Sequence, residues 1–113
     1  MESGSRDPFL RTMTRVPKGR EMSADIVKQS KPAPALLENL GVFSWPIWTK
    51  EVSTFPWTYD SEETCFFLEG EVVVTPRDGR PVHMGAGDLV TFPVGMSCTW
   101  EVRQAVRKHY NFA

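Results

Sequence analysis

From Ala35 onward, turn-forming residues interrupt the chain so often that no helix of useful length is expected. Apolar runs remain between these breaks at Phe43 to Trp48, Val52 to Tyr59, Thr64 to Leu68, Glu71 to Thr75, Pro81 to Met84, Asp88 to Phe92, Ser97 to Val102 and Val106 to Phe112. Each is strand-sized. About eight short strands at turn spacings of roughly eight to twelve residues predict a small antiparallel sandwich or barrel. The clearest turn is Asp78-Gly79 between two apolar runs, expected to supply the positive φ of a tight hairpin. At the entry, marked by Pro32 and Pro34, Leu36, Leu37 and Leu40 could form a short helical turn that Gly41 would stop.

Length and charge bound the function. A chain of 113 residues with 41% hydrophobic side chains has material for one core and one domain. Its net charge of -1 offers no global field for nucleic acid or an anionic membrane, so a neutral or small-molecule partner is expected. Residues 1–31 differ: seven basic side chains face four acidic ones, against six and ten in the remainder. We read 1–31 as a flexible basic leader and 32–113 as the folded domain. Without an apolar signal segment, an intracellular, reducing location is expected, cytoplasmic or, for a plant protein, plastid, with both cysteines as thiols.

Two stretches carry a family resemblance. Glu63-Thr64-Cys65-Phe66-Phe67-Leu68-Glu69-Gly70 has the glutamate, six residues and glycine that end the first cupin motif. Gly87-Asp88-Leu89-Val90-Thr91-Phe92-Pro93-Val94-Gly95-Met96-Ser97-Cys98 follows the second motif until its last position, where the family has histidine. With Trp57-Thr58-Tyr59-Asp60 and Arg107-Lys108-His109-Tyr110, the chain resembles the small single-domain cupins of the (S)-ureidoglycine aminohydrolase type, found in plants and bacteria. The resemblance implies an all-β double-stranded β-helix, or jelly-roll, over 32–113, and a homodimer paired through its sheets.

It also implies a divalent ion held by two histidines and the glutamate of motif one and the histidine of motif two. Here the paired-histidine positions fall on Trp57 and Tyr59, or with a longer spacer on Pro56 and Thr58, and the fourth on Cys98. Only Glu63 matches. One carboxylate and one thiolate do not make a site for a hard ion such as Mn²⁺, so no metal, no cofactor and no ureidoglycine deamination are expected.

Alternation along the strands puts Glu63, Cys65 and Phe67 on one face, Phe55, Trp57 and Tyr59 on another, and Cys98 with Trp100. The leading expectation is a pocket that binds a small planar or apolar molecule, lined by Trp57, Tyr59, Glu63, Cys65, Phe67, Cys98 and Trp100. In the enzymatic alternative, a metal-independent isomerase or cyclase, Glu63 is the general base and Tyr59 or a cysteine the acid. A third reading is a non-catalytic partner subunit of an organellar complex with a filled core. Cys65 and Cys98 would be buried thiols, a reversible disulfide, or, with Glu63 and His109, a soft zinc or copper site. Lys108 and Tyr110 share one face and His109 takes the other, with the inner face undecided. Trp45-Pro46-Ile47-Trp48 reads as core or interface.

Overall fold

A computed structural model describes residues 25–113. Seven strands and one short helix follow in the order β1 (Val27–Ser30), α1 (Pro34–Leu40), a 3₁₀ turn (Val42–Ser44), β2 (Ile47–Lys50), β3 (Ser53–Thr58), β4 (Glu63–Pro76), β5 (Val82–Gly85), β6 (Asp88–Phe92) and β7 (Ser97–Phe112). All paired strands run antiparallel, in the order β1-β6-β4-β7-β2, with β3 added to β7 and β5 to β4. Among the described residues no helix is long and apolar enough to cross a membrane.

The architecture depends on β4 and β7, of 14 and 16 residues, which pair from Glu63↔Phe112 to Pro76↔Cys98. Each serves two neighbourhoods. The first half of β4 also pairs with β6 and the second half with β5, while β7 pairs first with β3 and then with β2. Register shifts between Phe67 and Val72 mark where the ribbon bends, as bulges do. Gly70, the glycine that ends the first motif, lies in this bend at φ 107°, where a Cβ would come within 2.7 Å of the Ala105 carbonyl oxygen and of Val106 Cα. Only glycine fits that crossing.

The bend folds the sheet over its own apolar face. Phe92 on β6 and Trp100 on β7 are not register partners, yet their ring centroids lie 5.6 Å apart, and Tyr59 stacks on Phe92 at 4.8 Å. Tyr59, Phe67, Phe92, Val72, Val74, Val90 and Val102 are fully buried in this core. The antiparallel all-β barrel expected from turn spacing is the fold observed.

Helix α1 packs outside the sheet. Pro34 opens it and Gly41, at φ 73°, closes it with its N–H donated to the Glu38 and Leu37 carbonyls. Leu37, Val42 and Leu89 form a small second core, with Trp45 and Phe66 against it.

Several expectations need correction. The strand expected from Phe43 is a 3₁₀ turn followed by β2 from Ile47. The four short runs at 64–68, 71–75, 97–102 and 106–112 are halves of two long strands, because the ladder between them continues through its register shifts. Asp78-Gly79 does turn between β4 and β5, with Val74↔Val82 paired, but Gly79 is not at positive φ; its N–H donates to the Pro76 carbonyl at 3.1 Å. Within the basic leader, Val27–Ser30 pair with Asp88–Thr91, and Lys28 Nζ donates to the His83 carbonyl at 2.8 Å. Edge-strand pairing needs no apolar pattern, which is why composition missed it. The rest of the leader, 1–24, lies outside the described residues.

Candidate functional site

Beneath the mouth formed by β2, β3, the start of β4 and the end of β7 lies a cavity of about 200 Å³. Trp48, Phe55, Trp57, Tyr59 and Trp100 form one side, and Tyr110 and Phe112 another. Glu63 and Lys108 are the charged residues of its wall. Trp57 and Phe112 are each about half exposed, at 48% and 49%, and form the rim, whereas Tyr59 and Trp100 are buried.

Each polar group is positioned by strand register. One face of the β4–β7 ribbon carries Glu63, Cys65 and Phe67 opposite Phe112, Tyr110 and Lys108, in that order. Lys108 therefore starts beside Phe67 and extends along the sheet, past Cys65, to place Nζ 2.9 Å from Glu63 Oε2. Both side chains are almost wholly buried. The ammonium also lies over the rings of Trp100 at 4.7 Å, Trp48 at 5.1 Å, Phe92 at 5.7 Å and Phe67 at 5.8 Å. A buried charge needs compensation, and here a carboxylate and the negative faces of four rings supply it.

Tyr59 is held at both ends. Its backbone N–H donates to the Met96 carbonyl, its own carbonyl accepts from Gly95, and its hydroxyl accepts from Trp100 Nε1 at 3.1 Å. Burial, then the nearby Glu63 charge, pushes the phenol well above its ordinary range, so it stays protonated and able to donate. Cys65 is pushed up to about 12 by burial, opposed by the Lys108 ammonium. Cys98, which donates to the Trp57 carbonyl at 3.6 Å, is pushed up to about 11, again by burial first. Both are thiols at neutral pH, not activated thiolates.

The structure thus brings Glu63, Tyr59, Trp57 and Trp100 to one wall. Cys65, Phe67 and Cys98, expected in the lining, sit in the core behind it. Trp48, read as core or interface, is part of the wall. Lys108 went unassigned, although Val106, Lys108, Tyr110 and Phe112 alternate as one otherwise apolar face, and a lysine in such a row is a legible sign of a buried cation.

The soft-metal arrangement is not assembled. His109 faces the outer core, with Nδ1 2.9 Å from the Trp45 carbonyl and its ring edge-on to Phe43. Among the described residues no three His, Cys, Asp or Glu side chains are grouped to hold an ion. Nor do the residues fit the family's divalent metal: Trp57 and Tyr59 replace the imidazoles, and the one remaining carboxylate is already paired with the Lys108 amino group. Cys65 and Cys98 are free thiols, and they are not register partners; Cys65 stands opposite Val90 and Tyr110, Cys98 opposite Trp57 and Pro76.

With this geometry in hand, comparisons place the chain among known proteins. Residues 37–110 match the EutQ-like cupin domain. A DUF861-family protein from Thermotoga maritima is similar in structure, with 52% identity, a TM-score of 0.76, and coverage of 79% of this chain and all of that one. A protein described as ethanolamine utilization protein Q, EutQ, from Salmonella typhimurium shares 31% identity at a TM-score of 0.52, covering 57% of this chain and 51% of its own. The EutQ protein of Clostridium difficile shares 26% at the same TM-score, covering 57% and 50%. The chain therefore spans about half the length of the two EutQ proteins. Comparison with curated proteins gives no match.

Proposed function

This chain belongs to the EutQ-like cupin family, and from that premise we propose that it is a small-molecule-binding protein whose barrel takes a compact planar molecule in the pocket over Glu63 and Lys108. The observation that carries this is the cavity of about 200 Å³, walled by aromatic rings around one ion pair. A partner subunit with a filled barrel would have no need of that space. Ligand pockets commonly run to roughly 300–1,000 Å³, so this one suits a molecule of about one ring system.

Because Glu63 and Lys108 cancel, a ligand of low net charge is favoured, and the Tyr59 hydroxyl and the ion pair supply its polar anchors. The narrower kinship with ureidoglycine aminohydrolase-type cupins would require a divalent ion, and Lys108 stands where that ion's charge would be. Metal-dependent deamination forms no part of the proposal.

Three of the four tryptophans, Trp48, Trp57 and Trp100, line the pocket, so intrinsic fluorescence reports its occupancy. Titration with a neutral aromatic probe such as benzyl alcohol is expected to change emission saturably, and Trp100→Leu to abolish the saturable part. A purely linear response in the wild-type protein would overturn the reading.

A further inference from the structure

Lys108 has more than a structural setting. Its Nζ is almost entirely withdrawn from water yet forms part of the wall of a cavity able to admit a small molecule. It sits 2.9 Å from a carboxylate and within reach of the Cys65 thiol, with the Tyr59 hydroxyl on the same wall and aromatic faces around it. A lysine held only to balance Glu63 would not need to face a cavity.

From this arrangement we propose that Lys108 is a nucleophile which captures an aldehyde or ketone in the pocket as a Schiff base, with Glu63 as the partner that relays the proton. The proposal rests on the binding reading above and specifies its ligand class. The chemistry balances with the residues present. Glu63 takes a proton from the Lys108 ammonium, leaving a neutral amine and a neutral acid. The amine lone pair attacks the carbonyl carbon; the C–N bond forms as the C–O π bond breaks, and the oxygen gains a proton from the Tyr59 hydroxyl or the Glu63 acid. The nitrogen's proton returns to the carboxylate or phenolate, so the carbinolamine is neutral. Its hydroxyl then leaves as water with the proton from Glu63, and the nitrogen lone pair forms the iminium. The product is a positive iminium beside a Glu63 carboxylate, the same charges as at the start, so the rings around Nζ suit the adduct as they suit the ammonium. No oxidant, reductant or metal is consumed.

Reductive trapping tests this on the full chain. The protein is incubated with benzaldehyde and sodium cyanoborohydride, and benzylated lysines are located by peptide mass spectrometry, while tryptophan emission reports occupancy in parallel. The expected result is preferential benzylation at Lys108 over the surface residue Lys50, no adduct at position 108 in Lys108→Arg, and slower labelling in Glu63→Gln by about 100-fold, the order that a lost proton relay costs. Lys108→Arg keeps the positive charge beside Glu63, and its circular dichroism and melting curve establish that the fold survives. Saturable emission change without labelling at Lys108 would overturn the nucleophile and leave the pocket standing. Labelling confined to surface lysines with no saturable change would overturn both.

Discussion

Lys108 and Glu63 meet at 2.9 Å although 45 positions separate them and neither is the other's register partner on β4 and β7. The contact runs diagonally along one face of the ribbon, over Cys65, and joins the two charged residues that, among the described residues, line a largely aromatic wall. Breaking such a pair leaves an uncompensated buried charge, whereas replacing both members with apolar side chains removes the penalty with the attraction.

Lys108→Met alone is therefore expected to lower unfolding free energy by about 3–5 kcal/mol, and the double variant Glu63→Leu, Lys108→Met to lose much less. Urea denaturation of the four proteins of the cycle measures this. Additive losses in the double variant would mean that the pair is not coupled.

At Tyr59, the change to Phe removes the acceptor of the buried Trp100 Nε1 proton. A loss of about 1–3 kcal/mol is expected. Saturable binding of benzyl alcohol should weaken in parallel, because the ring remains and only the anchor goes. Unchanged stability in urea would show that the indole proton finds another acceptor.

Two glycines at positive φ separate space from backbone. Gly95 is at φ 85° with nothing within 4 Å of a built Cβ, so Gly95→Ala is expected to cost about 1–2 kcal/mol, the conformational term alone. Gly70→Ala adds a collision with the β7 backbone and is expected to cost more, or to prevent folding. Thermal melts of the two variants give the order, and a milder Gly70 variant would place the bend elsewhere.

Alkaline pH should unfold the protein for a reason visible in the core. Cys65 and Cys98 hold their protons to about 12 and about 11, above the ordinary 9.0, so over that interval the unfolded chain sheds protons that the folded chain retains. Their contribution to stability is whole below about pH 9 and declines as pH rises towards 12; the raised Tyr59 phenol acts in the same direction above its ordinary value of 10.0. Urea midpoints are expected to fall between about pH 8 and about pH 10.5, and less steeply in Cys65→Ala. An equal slope in that variant would remove Cys65 from the effect.

The barrel itself was legible because its signals are local. Turn residues between short apolar runs, glycine at positions 70 and 95, and the period of two along each strand are properties of a few neighbouring residues, and the structure keeps them. Strand continuity was less legible: Glu69 and Gly70 separate two runs in sequence, yet Glu69 pairs with Arg107 at 2.9 Å on a ladder that continues past both.

The sequence by itself determined which residues share a face: Glu63 with Cys65 and Phe67, Trp57 with Tyr59, and Lys108 with Tyr110 against His109. Tertiary structure alone decided which of those faces turn inward, that Trp48 joins the wall while Cys65, Phe67 and Cys98 fall behind it, and that Lys108 reaches Glu63. Alternation is set by the pleat of one strand, residue by residue. Which side is buried, and which distant side chain neutralises a buried charge, is settled only when the bend at Gly70 folds one half of the β4–β7 ribbon over the other.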